Sequence, residues 1–315
     1  MGVLMDKIAD DEGLPVGSLK PRDYFDLICG TSTGGLIAIL LGRLGLTARQ
    51  AIDKYVELSK SIFAKDRSIG LGAFRVSKGG EERFDEKVLE QAIKDVASEY
   101  GDSPYARMFD GLTDPASREC HVFVVAVIAE AANNEQPHLF TTYDRNDDTK
   151  IWEAGRATSA APVFFKAMKV GNPAVRYIDA GLGHNNPADV GLEEFHRLWP
   201  GRKLGLFLSL GTGKETQAVV RKGGSWAGFR NQKQLIEVLA KLATSANRVH
   251  GTVYKKIQRE YGPEPYFRFN VDQGLSEIGL QEWKKEGNSP AAQQPTLTGQ
   301  RSMTEDSSVQ NVFEP

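Results

Sequence analysis

The chain has 315 residues, 40% of them hydrophobic and 25% charged, with a formal net charge of −2. This is the composition of a soluble globular protein able to bury one large core, and nothing global draws it to nucleic acid. The two cysteines, Cys29 and Cys120, sit in apolar strand-like runs and read as buried free thiols of a reducing compartment, not as a disulfide framework.

Met1 to Lys7 turns acidic at Asp6, too early for a secretory signal, so no export is expected. Residues 3–9 read as the end of an amphipathic helix, and a loop containing Gly and Pro leads to a strand near Tyr24. Residues 27–42 are uncharged, but the stretch is only 16 residues long and polar in its middle, too short to cross a bilayer. Thr47 is placed to cap a helix over about 48–64, with Ile52, Tyr55, Val56, Ser59 and Phe63 at helical spacing. Residues 66–82 are rich in Gly and Ser and read as a surface loop, a candidate lid. Residues 83–100 form another amphipathic helix pattern.

Residues 120–129 are apolar on both faces and rich in β-branched side chains, as a central, buried parallel strand would be. Strands are expected at 138–143, 175–179, 204–210 and 266–270. Helices are expected at 151–158, at 186–198 with Asn186 as cap and Pro187 in its first turn, and at 232–258. From about residue 287 the apolar content falls away and disorder is expected. The alternation predicts an α/β fold, a three-layer α/β/α sandwich with a mostly parallel central sheet over residues 1–286, followed by a tail at 287–315.

The chemistry centres on residues 24–46. Phe25 to Cys29 is strand-like, Leu36 to Leu41 is helix-like, and between them lies Gly30-Thr31-Ser32-Thr33-Gly34-Gly35. That is the G-x-S-x-G nucleophile-elbow pattern, in which a sharp turn lifts the serine hydroxyl above the carboxyl end of a strand. With 32 glycines in the chain, a chance match has odds on the order of one in five, so the flanking strand and helix are what give the pattern weight. Gly30 and Gly34 are expected to be small because a Cβ would collide across the turn. The Thr33 amide, at the start of the helix, is a candidate oxyanion donor. A Walker-type phosphate loop is disfavoured, since no lysine follows the last glycine.

A serine nucleophile needs a base. His121 and His138 lie in strand positions suited to packing, His196 and His250 lie on helices, and only His184, near Asp179, is ambiguous. Ser32, Asp179 and either His184 or His250 satisfy the chain order of a Ser-Asp-His hydrolase. Asp179 itself ends a strand and is followed by the small residues Ala180 and Gly181. A carboxylate bonded directly to Ser32 can act as base if burial raises its pKa. An isolated Asp-x-Gly is otherwise a strand-end turn.

Four segments together resemble the patatin-like phospholipase domain. They are Gly30 to Gly35, Trp152 to Pro162 with its Arg156-Ala157-Thr158-Ser159-Ala160-Ala161-Pro162, Asp179-Ala180-Gly181 with Asn185-Asn186-Pro187, and Ser209 to Gly213. They occur in the family's order and extend over about residues 3–213. The resemblance implies a Ser–Asp dyad acyl hydrolase acting on phospholipids or other acyl lipids, with no metal or organic cofactor. Ser32 would be the nucleophile and Asp179 the proton acceptor. It further implies peripheral contact of a cytoplasmic protein with membranes.

Two departures stand out. The family motif is commonly Asp-Gly-Gly or Asp-Gly-Ala, so the methyl group of Ala180 is expected to crowd the base. The family's Asp-Gly-Gly-Gly-x-Arg-Gly stretch, whose amides form the oxyanion hole, has no counterpart among Gly2, Gly13, Gly17 and Gly30. Either the chain is an incomplete product lacking a first strand, or it is a shortened paralogue, a weak or silent lipid-binding domain.

Overall fold

A computed structural model of the chain describes residues 1–63, 68–69, 76–77, 82, 84–109, 120–130, 136–162, 164–212, 230–271 and 297–299. The described residues fall into two compact units, one over 1–198 and part of 223–249, the other over parts of 199–222 and 250–315.

The first unit holds strands β1 (Leu27–Thr31), β2 (Ser68–Ile69), β3 (Val76–Ser77), β4 (His121–Ile128), β5 (His138–Thr141), β6 (Met168–Val170) and β7 (Val175–Asp179). Its helices are α1 (Gly2–Asp11), α2 (Thr33–Ala38), α3 (Ala48–Phe63), α4 (Glu86–Tyr100), α5 (Ile151–Thr158), α6 (Gly181–His184) and α7 (Ala188–Leu198). Three of them begin where a side chain satisfies an open amide. Thr47 and Gln50 bond reciprocally ahead of α3, Asp85 accepts from the Lys87 amide ahead of α4, and Asn186 accepts from the Ala188 amide ahead of α7.

β4 is the axis of the main sheet, and Val122 to Ala126 have no solvent exposure. Val122, Val124 and Ala126 join the core formed with α2, α4 and α5. Phe123, Val125 and Val127 face the other way, onto Ala180 and Val190 of α7. Helices therefore cover both faces, as the two-sided apolar pattern of β4 requires.

Strand direction is where expectation and structure differ. β1 is parallel to β4, but β5 and β7 are antiparallel to it and β6 is antiparallel to β7. The sheet is mixed, not mostly parallel. An all-apolar strand reports helices on both of its faces and says nothing about the direction of its neighbours. β6, three residues long, is too short to show a period.

The pairing registers place two strands end to end. Phe123 pairs with both Cys29 and Thr141, and Ala126 with both His138 and Asp179. β5 therefore occupies one edge of β4 while β1 and β7 share the other. They run toward each other, and Thr31 opposite Val125 and Asp179 opposite Ala126 are their last residues.

The second unit contains β8 (Phe207–Leu210), parallel to β9 (Tyr266–Val271), and β10 (Leu297–Gly299), antiparallel to β9. The end of helix α8 (Arg230–Tyr261) belongs to it and buries Val253 and Ile257. Most of the glycine-rich 66–82 stretch and of the tail from 287 lies outside the described residues.

Candidate active site

β1 passes into α2 through Ser32, whose φ of 57° and ψ of −126° lie where a residue with a side chain is strained. Such a conformation costs on the order of 1–3 kcal/mol and persists only where its surroundings enforce it. The Ser32 carbonyl accepts from the amides of Gly35 and Leu36 at 2.9 and 3.1 Å. Its own amide donates to Thr158 Oγ1 at 2.9 Å, and that hydroxyl donates to the Val125 carbonyl at 2.7 Å.

The glycines divide differently from expectation. A Cβ on Gly30 would lie 2.0 Å from the Gly34 carbonyl oxygen, so this position admits no side chain. A Cβ on Gly34 would meet nothing within 4 Å, so its smallness is not what the turn requires. The tight position on the helix is Gly35, where a Cβ would stand 2.7 Å from Thr158 Oγ1.

Asp179 is 5% exposed. Its carboxyl accepts a hydrogen bond from the Ser32 side chain and one from the Gly181 amide at 2.8 Å. Burial raises its pKa to about 6, with the two hydrogen bonds pulling the other way. The Asp179 amide donates to the Ala160 carbonyl at 3.0 Å. The Thr31 hydroxyl donates to the His184 carbonyl at 2.6 Å, tying the end of β1 to α6. Residues brought together from far apart in sequence thus meet at the junction of β1 and β7: Ser32, Asp179, Gly181 and the end of α5.

Thr33 opens α2, so its amide lies in the first turn, where helical N–H groups lack intrahelical acceptors. Ala180 is wholly buried, its φ of −77° is ordinary, and it packs in the core with Phe123, Val125, Val127 and Val190.

Three of the five histidines have other places. His121 stacks on Tyr143, His138 packs on Phe140 and Tyr177, and His250 Nδ1 lies 2.8 Å from the Tyr266 hydroxyl within the second unit. Burial pushes the thiols of Cys29 and Cys120, both free, up to about 12, which keeps them protonated and unreactive. Among the described residues, no three His, Cys, Asp or Glu side chains cluster as a metal site requires, and no helix is long and apolar enough to cross a membrane.

Two site residues escaped the sequence reading. Thr31 and Thr158 carry no titratable group, and their one sequence signal is a threonine at the last position of a strand and of a helix.

The family model for patatin-like phospholipase matches residues 14–192, more than half of the chain. The calcium-independent phospholipase A2-gamma of Oryctolagus cuniculus is 28% identical over 80% of this chain and 31% of its own length. Phospholipase A I of Arabidopsis thaliana is 28% identical over 81% of this chain and 22% of its own. Patatin-like phospholipase 1 of Plasmodium falciparum is 28% identical over 80% and 38%. The chain therefore spans between about a fifth and two fifths of the length of these relatives. VipD from Legionella pneumophila aligns in structure at 11% identity over 90% of this chain and 61% of its own, with a TM-score of 0.41.

Proposed function

Because the chain belongs to the patatin-like phospholipase family, we propose that it is a serine lipid acyl hydrolase in which Asp179, without a histidine, activates Ser32. The observation behind this reading is the hydrogen bond from the Ser32 side chain to a buried carboxyl whose pKa lies near 6. At neutral pH such a carboxylate is ionised and basic enough to accept a proton.

In the first half-reaction Asp179 takes the Ser32 proton as Oγ attacks the ester carbonyl. The oxyanion faces the Thr33 amide and the start of α2. The tetrahedral intermediate collapses, and the leaving alcohol, a lysophospholipid for a phospholipid substrate, departs with the proton from Asp179. Water then attacks the acyl-serine with Asp179 again as base, and the fatty acid is released. No metal or organic cofactor enters. A phospholipid substrate brings the protein to membrane surfaces, and a cytoplasmic protein in peripheral contact with them fits this activity.

A lipid-binding domain with little or no turnover is the rival.

A fluorescent fluorophosphonate distinguishes the two. The dyad reading expects labelling that disappears in Ser32→Ala, collapses in Asp179→Asn and survives in His184→Ala and His250→Ala. Labelling lost with either histidine would establish a triad instead, and a folded chain that binds lipid vesicles but takes no label would establish the silent domain.

A further inference from the structure

The peptide group on the carboxyl side of Ser32 is held by the helix itself, through the bonds from Gly35 and Leu36. The group on its amino side lies beyond the last register pair of β1 and β4, Thr31 and Val125. There the Thr158 hydroxyl stands between the two strands, accepting from Ser32 N–H at 2.9 Å and donating to the Val125 carbonyl at 2.7 Å. Thr158 has no solvent exposure, so water cannot substitute for it.

We propose that Thr158 is a positioning residue for the nucleophile: its hydroxyl locks the 31–32 peptide and so holds Ser32 in the strained conformation that aims Oγ at Asp179. The proposal rests on Ser32 being the nucleophile and goes beyond that reading by naming what keeps it aimed.

Three further features bear on this role. A strained backbone relaxes unless over-determined, and rotation about the Thr31–Ser32 junction would swing the side chain away from a carboxyl that is itself fixed. The same short segment fixes that carboxyl, because the Ala160 carbonyl, two residues after Thr158, accepts the Asp179 amide at 3.0 Å. The end of α5 therefore holds nucleophile and base with adjacent groups. Finally, Gly35 leaves room for Thr158 to approach, since any Cβ there would lie 2.7 and 2.8 Å from its Oγ1 and Cγ2.

The hydroxyl is the functional part, so Thr158→Ser should work where Thr158→Val does not. Misplacement of a reacting atom by about 1 Å costs on the order of a hundred-fold. For Thr158→Val we expect phosphonylation of Ser32 and kcat to fall roughly 10- to 100-fold with KM unchanged, and for Thr158→Ser both to stay near the wild-type values. Thr141→Val serves as the control for lost stability. It removes another buried hydroxyl, which accepts the Asp144 amide at 3.0 Å, and it should lower the melting temperature without slowing Ser32.

Amide hydrogen exchange adds a readout independent of turnover. The Ser32 amide should exchange at least tenfold faster in Thr158→Val than in wild type or Thr158→Ser, while Gly35 and Leu36 stay protected. If Ser32→Ala abolishes labelling but Thr158→Val labels at the wild-type rate, or if Ser32 exchange is unchanged in Thr158→Val, the positioning role is wrong and the dyad stands. If Ser32→Ala labels as well as wild type, the functional reading falls and takes this role with it.

Discussion

The hydroxyl of Ser32 donates to the carboxyl of Asp179, which also accepts the amide of Gly181 two residues further along its own chain. The carboxyl is thus aimed from both sides, by the Ser32 hydroxyl and by the turn that follows it.

On the proposed mechanism, protonation of Asp179 removes the base. With its pKa near 6, kcat/KM for a soluble short-chain ester should rise about tenfold per pH unit below that value and level off above it. A pH–rate profile flat from 4.5 to 7 would dissociate Asp179 from the reaction.

The same shift makes a statement about stability. Between 3.8 and about 6 the folded chain holds a proton that the unfolded chain releases, so this group's contribution is full below that window and is lost as pH rises through it. Asp179→Asn cannot titrate. Its stability relative to wild type should therefore improve by about 2 kcal/mol between pH 4 and pH 7, measured by urea unfolding at each pH.

The glycines of the elbow should separate cleanly. Gly30→Ala should abolish hydrolysis by collision with the Gly34 carbonyl, and Gly35→Ala should slow it roughly 10- to 100-fold by displacing Thr158. Gly34→Ala should fold at least as well as wild type and keep activity within several-fold. Equal losses at all three positions would contradict the geometry.

Ala180→Gly brings the motif closer to the family's common form and should do harm. Losing a buried methyl group costs about 0.8 kcal/mol, and the added chain freedom costs about 0.5–1 more. We expect a stability loss of about 1–2 kcal/mol by denaturant titration, with kcat per folded molecule unchanged.

Much of this was legible before any coordinates. The bounds of α5 and β7 follow from sequence because Pro162 and the small residues after Asp179 punctuate them. Ser32 and Asp179 could be named because a strained turn and a strand-end carboxylate leave local marks. Strand direction and the short β6 left none, and Thr31 and Thr158 left only a threonine at the end of an element. The two threonines act through partners more than a hundred residues away, strand direction is set by pairings that no local pattern records, and β6 is too short to show a period.

The abutment of β1 and β7 along β4 has a mechanical consequence. Ser32 follows directly on the last residue of β1 and Asp179 ends β7, and those two strand ends, Thr31 and Asp179, are registered against one peptide step, from Val125 to Ala126, in a strand sealed from solvent on both faces. β4 works as a ruler with two neighbouring marks. One residue inserted between those marks would push Ser32 and Asp179 apart while leaving every side chain of the site intact.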